Sequence, residues 1–238
     1  MSSTEISQAA VRVEDLTCVP TSESVSQKLL TYGIALLPQR IPDQMCRDAL
    51  EDVIHSWHEE SDNYVAKGRK RLHHKLNPTE TILSLIQYSL RNIEQALCNY
   101  LSDPDPKLVE LSSITSFPGA TRQRPHREYN HWPARIQVRL FANLTNVDED
   151  LGPMNVIPGS CFNGKNNFEE DQITPLSLPK GSVIIKDVNT IHWGEANRSE
   201  SSFRPLVYFG FGKGDGRDVN WYIKDSIKDK FRFSNLMK

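Results

Sequence analysis

Helical periodicities early in the chain, then a run of short β-type segments punctuated by Gly, Pro and Asn, predict a mainly β protein with flanking helices. The architecture expected is a double-stranded β-helix, a jelly roll of the cupin type. A third observation is chemical. His126-Arg127-Glu128 and the later His192 supply two imidazoles and one carboxylate, the donor set with which a non-haem Fe(II) centre keeps coordination positions open. The mouth of such a barrel can hold it.

Each element has its own reason. Residues 1–22 are rich in Ser, Thr, Glu and Gln and read as a flexible lead-in, with Val11 to Val13 touching the body; residues 23–238 then form one domain. Leu29 to Leu37 reads as a turn into a buried strand. Ile41-Pro42-Asp43 opens a helix carrying Cys46, Leu50, Val53, Ile54 and Trp57 at helical spacing. Residues 59–77 lack periodicity and concentrate Lys67, Arg69, Lys70, Arg71, His73, His74 and Lys75, which predicts a surface loop, either solvated charge or an anion-recognising lid. His73 and His74 are adjacent, so on regular structure they do not face one ligand position. Thr79 to Leu101 reads as one amphipathic helix, with Ile82, Leu85, Ile86, Leu90, Ile93 and Leu97 on a stripe that backs the sheet.

Strands are expected at Leu111–Phe117, Ile136–Leu144, Met154–Ile157, Val183–Lys186 and Leu206–Phe211. The alternation from Arg135 to Asn143 turns Gln137 and Arg139 toward a wet cavity. The stretch Trp221 to Phe231 reads as a last helix with Trp221 and Ile227 inward, packing on the core; covering the pocket or forming a homodimer contact is the alternative.

Composition excludes some classes of function. Lys+Arg 28 against Asp+Glu 30 gives a formal charge of −2, no footprint for nucleic acid or an anionic membrane. No run approaches the roughly 18 apolar residues of a membrane span, and the N-terminus lacks the features of a secretory signal. The expectation is a cytoplasmic protein acting on a small molecule. Cys18, Cys46, Cys98 and Cys161 are widely spaced, which points to free thiols rather than a disulfide or zinc framework.

In an extended segment, His126 and Glu128 share a face while Arg127 points away, and His192 closes the triad from another strand. Around these ligands the order of motifs is informative. Gln123 precedes His126, and Gly152-Pro153-Met154-Asn155-Val156-Ile157-Pro158-Gly159-Ser160 follows. Lys180-Gly181-Ser182-Val183 then leads to His192-Trp193-Gly194, Asn197-Arg198-Ser199 and Arg204. This order resembles the phytanoyl-CoA dioxygenase-like (PhyH) family of Fe(II)/2-oxoglutarate-dependent oxygenases, from about Tyr32 to Gly212. The family's usual aspartate is here Glu128, an arrangement similar to that of some clavaminate-synthase-like relatives.

The resemblance implies Fe(II), 2-oxoglutarate and O2, with His126, Glu128 and His192 as metal ligands. It implies that Arg204, twelve residues after His192, pairs with the C5 carboxylate of 2-oxoglutarate through a charge-assisted fork. Arg198 is the rival, in a polar turn. Gln123 matches a glutamine that binds the cosubstrate, with Gln137 and Asn143 as further candidates. Tyr129, His131, Arg139 and Trp193 are candidates for the substrate site, although Tyr129, His131 and Trp193 also suit anchoring or packing. Arg122, Arg124, Arg139 and the basic loop hint at a carboxylate or phosphate on the substrate.

The activity implied is a dioxygenase: oxidation of an unactivated C–H bond of a small metabolite, a biosynthetic intermediate or amino-acid derivative, by hydroxylation, desaturation or cyclisation, with release of succinate and CO2. A retained carboxylate ligand argues against halogenation. Two alternatives stay open, a cupin-type metal enzyme independent of 2-oxoglutarate and a non-catalytic jelly-roll binding protein. Arg204 discriminates between them.

Overall fold

The computed structural model describes residues 10–57, 63–66, 70–128, 135–163, 167–213 and 222–237. Two antiparallel sheets face each other, as the jelly roll requires. The larger runs β1 (Ile34–Leu37), β8 (Val183–Asp187), β5 (Gln137–Asn143), β10 (Arg204–Gly212), β4 (Lys107–Ser116), β3 (Arg71–Lys75) and β2 (Asn63–Ala66). The smaller runs β7 (Thr174–Leu176), β6 (Met154–Val156) and β9 (His192–Gly194). Residues 119–128 form an irregular fourth row beside β9, with Gln123 N donating to Gly194 O at 2.9 Å and His126 and His192 exchanging both backbone bonds at 3.0 Å.

Strand periodicity divides the apolar residues between two cores. Val138, Leu140, Val183, Ile185, Val207 and Phe209 turn outward from the large sheet onto helices α2 (Ser22–Tyr32), α3 (Asp43–Ser56), α4 (Glu80–Leu90) and α5 (Glu94–Leu101). Their alternates Phe141, Ile184, Leu206 and Tyr208 turn inward and meet Met154, Val156 and Leu176 of the small sheet. Helices therefore cover one face of the large sheet, and the cavity lies between the two sheets. No helix among the described residues is long and apolar enough to cross a membrane.

Several expectations need correction. The lead-in is not loose over its described part: α1 (Val13–Leu16) buries Leu16 completely in the inner core, and Thr17 bridges Leu36. Helix α2 occupies part of what read as a turn, and Gly33 ends it in the left-handed region, where a Cβ would lie 2.1 Å from Cys161 Sγ. The helix expected over Thr79–Leu101 is two, because Asn92 takes φ 68° between α4 and α5. Ile54, expected inward on α3, is exposed.

Residues 70–75 are not a surface loop. Pairing of β3 with β4 buries Arg71 and His74. Six residues of alternating direction are too short a signal beside so much charge. The described part of the C-terminal stretch, from Tyr222, folds as turns and a four-residue helix, α6 (Phe233–Leu236), anchored by Ile223, Ile227, Phe233 and Leu236. Its alternating Lys and Asp leave no continuous apolar stripe. Trp221 lies outside the described residues.

Candidate metal centre

The backbone pairing of His126 with His192 sets their imidazoles side by side, ring centroids 4.4 Å apart. Two residues further on, Glu128 returns to the same face, and its Oε1 lies 3.0 Å from His192 Nε2 and 3.9 Å from His126 Nε2. One ligand atom from each residue lies within 4.8 Å of the others. Arg127 points the other way, donating to the carbonyls of Ser160 (2.9 Å) and Asn189. It thereby ties the Glu128 segment to the turn before His192.

The imidazoles are oriented for a cation. His126 Nδ1 lies 2.9 Å from the Arg124 carbonyl and His192 Nδ1 lies 3.0 Å from the Thr190 carbonyl. A carbonyl only accepts, so each Nδ1 carries a proton and each Nε2 is the nitrogen turned to the cavity. Burial, reinforced by Lys186 and His126, pushes His192 down to about 3, so its ring is neutral. Burial works to raise Glu128, but the Arg139 guanidinium beside it holds it well below the usual carboxylate range. The Nε2 atoms of His126 and His192 and the Glu128 carboxylate thus converge on one point, with the Arg139 guanidinium against one side of that carboxylate. These are the deprotonated ligands a divalent metal requires.

A second group of residues lies across the same cavity. Arg204 is buried at the start of β10, donating through Nη1 to Gly152 O and through Nη2 to Ser116 Oγ at 3.2 Å, while its Nε has no partner. Burial and neighbouring Arg71 push it down to about 9, and no described carboxylate pairs with it. Arg71 reaches the same Ser116 hydroxyl and the carbonyls of Thr121 (2.8 Å) and Glu195 (2.7 Å). Gln123 Oε1 accepts from Gly194 N at 2.8 Å. A Cβ on Gly194 would stand 2.8 Å from Gln123 Oε1, 3.0 Å from Arg204 Nη2 and 3.1 Å from Arg71 Nη1. Glycine is what keeps this cradle open. A cavity of about 170 Å³ joins it to the His126–Glu128–His192 cluster, walled by His73, Phe141, Tyr208 and Tyr222.

Other candidates fall elsewhere. Gln137 donates to Glu110 at 3.0 Å, and Asn143 is buried on the inner face without lining the cavity. Trp193 packs outward against Phe168, its indole N–H on Glu195 at 2.7 Å, so it is a packing residue. Arg139 lines the cavity but is committed to Glu110 and Glu128, and Arg122 pairs with Glu195 at 3.0 Å. Arg124 and Arg198 are exposed. Tyr129, His131, Lys67 and Arg69 lie outside the described residues.

Sequence reasoning placed Arg71 and His73 on a surface loop and did not single out Tyr208 or Tyr222 for the cavity. His73 stacks on Tyr222 at 3.6 Å and hydrogen-bonds the Tyr208 hydroxyl, while His74 turns to Ser56 and Ser113 on the opposite face. The inward alternation Arg71, His73, Lys75 was the signal available. A larger, open depression of about 930 Å³ beside Pro158 and Phe168 brings, among the described residues, one carboxylate, Glu169, and no metal-ligating cluster.

A jelly roll with two imidazoles and a carboxylate at one end of its cavity, and a buried arginine that no described carboxylate pairs at the other, has the plan of a non-haem iron oxygenase that consumes 2-oxoglutarate. The family comparison agrees: the model described as Phytanoyl-CoA dioxygenase (PhyH) matches residues 35–205, and the chain belongs to that family of Fe(II)/2-oxoglutarate-dependent dioxygenases.

Among solved structures, the epimerase SnoN in complex with Fe3+, alpha ketoglutarate and nogalamycin RO is similar at TM-score 0.64 and 15% identity, over 80% of this chain and 82% of that one. The alpha ketoglutarate dependent carbocyclase SnoK from nogalamycin biosynthesis gives 0.62 and 15%, over 82% and 85%. HygX from Streptomyces hygroscopicus, with nickel and 2-oxoglutarate bound, gives 0.59 and 11%, over 79% and 85%. At these identities the likeness is one of fold. No curated protein sequence matches the chain significantly.

Proposed function

We propose that His126, Glu128 and His192 hold the ferrous ion of a 2-oxoglutarate-dependent dioxygenase, and that Arg204, with Arg71 and Gln123 beside it, receives the far carboxylate of the cosubstrate. The carrying observation is the shared cavity, with three convergent acceptors at one end and unneutralised Arg204 at the other. Iron bound there, with 2-oxoglutarate and O2, supplies the oxidation of an unactivated C–H bond, releasing succinate and CO2.

The chain's own residues bind and orient. Arg204 offers a cosubstrate carboxylate its unpartnered Nε and a fork that Ser116 and the Gly152 carbonyl hold in place. Gly194 leaves room for that carboxylate, and Leu206, Met154 and Phe141 exclude water from the cavity wall.

For the substrate we propose a small biosynthetic intermediate, met in the cytoplasm. SnoN and SnoK, named for nogalamycin biosynthesis, support that class. With Arg139 and Arg122 committed to carboxylates, the described wall offers a substrate aromatic faces, from His73, Phe141, Tyr208 and Tyr222, more than free charge. An anionic handle loses its main support.

The test is an anaerobic titration of metal-free protein with Fe(II) and 2-oxoglutarate, following the visible charge-transfer band. Wild type should saturate and His192→Ala should give no band. Arg204→Ala should need about 100-fold more 2-oxoglutarate, matching about 3 kcal/mol of charge-assisted hydrogen bonding. Iron uptake without a band would indicate an enzyme independent of 2-oxoglutarate, and no iron uptake a binding scaffold.

A further inference from the structure

Glu128 is longer by one methylene than the aspartate usual at its position, and a longer arm has more rotamers to lose before its carboxylate is fixed. Something must hold it. The guanidinium of Arg139 is buried on β5, and its Nη1 contacts the same Oε1 of Glu128 that faces both imidazoles. The other edge of that guanidinium, Nε and Nη2, forks onto the two oxygens of Glu110, which is completely buried on β4.

Glu110 and Arg139 are not ladder neighbours. Strand β10 runs between them, and the residue facing both is Gly210. A Cβ at Gly210 would stand 3.0 Å from Glu110 Oε2 and 3.0 Å from Gln137 Nε2, so the glycine clears the path by which the pair crosses the strand. Gln137 donates to Glu110 from the side. The result is a rigid brace, Glu110 to Arg139 to Glu128, built over a gap in the sheet's side chains.

We infer that Arg139 is a positioning residue for the metal centre: braced by Glu110 across Gly210, it fixes the carboxylate of Glu128 where the two Nε2 atoms converge, and so lets a glutamate serve where a shorter carboxylate is usual. This rests on the metal role proposed for His126, Glu128 and His192. Arg139 acts on the ligand; the cosubstrate cradle at Arg204 is formed by other residues.

The experiment measures Fe(II) affinity and the Fe(II)–2-oxoglutarate charge-transfer band anaerobically in wild type, Arg139→Gln, Arg139→Lys and the double variant Glu110→Gln/Arg139→Gln. The double variant leaves no unpaired buried carboxylate at position 110 and covers a single variant that fails to fold. Each Gln variant that folds should bind Fe(II) about 10–100-fold more weakly, the usual range for loss of a ligand's supporting partner. Its half-saturating 2-oxoglutarate, measured at saturating iron, should stay near the wild-type value. Arg139→Lys, a cation without the fork, should recover only part of the affinity.

A second arm adds Arg139→Gln to Glu128→Asp, where the shorter carboxylate is withdrawn from the brace and the loss should largely vanish. Wild-type affinity and an unshifted band in the Gln variants would overturn the inference, as would an equal loss in the Glu and Asp backgrounds. Failure of wild type itself to take up iron would overturn the metal reading beneath it, a result separable from these two.

Discussion

At the scale of single residues, the inner face of the barrel carries more ionisable groups than a core usually tolerates, and its pH behaviour follows. Burial, with Arg139 adding to it, pushes His73 down to about 3, and His192 is held as low. An imidazole depressed in the folded state favours folding above its unfolded pKa, near 6.5, and that advantage is lost as pH falls toward the folded value, because the unfolded chain takes up the proton first. The metal-free protein should therefore lose stability from about pH 6.5 downward, by up to about 1.4 kcal/mol per pH unit for each such histidine. His73→Phe, which keeps a ring against Tyr222, should flatten the slope by one histidine's share. Urea denaturation between pH 7 and pH 4 checks both. That His126, Glu128, His192, Gln123 and Arg204 belong together was legible because each stands within a motif, and one cavity is lined by all five. Arg71 was not legible, since nothing near it in sequence distinguishes a buried guanidinium from the solvated charges around it.

At the scale of elements, the short strand β9 carries two parts of the proposed site in three residues: His192 in the candidate metal cluster and Gly194 in the cradle. Gly194→Ala should weaken 2-oxoglutarate binding by tenfold or more while iron affinity stays close to wild type, since the atoms nearest the added methyl belong to Gln123, Arg204 and Arg71. Parallel titrations with Fe(II) and with the cosubstrate would separate the two effects. Strand existence was well predicted for β5, β6, β8 and β10, whose apolar residues are frequent enough to register, and boundaries moved by only a few residues. The failures have local causes. Asn92 breaks a continuous apolar stripe by taking φ 68°, and β3 hides its period under polar residues, of which Arg71, His73 and His74 find their partners Ser116, Tyr208 and Ser113 on distant strands. Burial of charge by long-range pairing leaves no local trace.

At the scale of the whole molecule, the inner core depends on a segment that composition alone marks as loose. Leu16 sits fully buried against the face that presents Ile34 and Leu36, and Val11 and Val13 pack beside it. Leu16→Ala should destabilise the fold by about 3 kcal/mol, the usual cost of emptying a buried leucine site, and denaturant midpoints at constant m-value would show it. A surface lead-in would give a change within about 0.5 kcal/mol.

The pairing of His126 with His192 has a wider consequence. These ligands lie far apart in the chain and meet only where the irregular row 119–128 is laid beside β9. Until that seam is sewn, the half-built chain does not bring the proposed ligands together, so on that proposal tight iron binding would come after barrel closure instead of guiding it. With the metal role proposed for the pair, iron would stabilise only the finished molecule, as the logarithm of its free concentration, and the seam would be where iron supply is converted into protein lifetime.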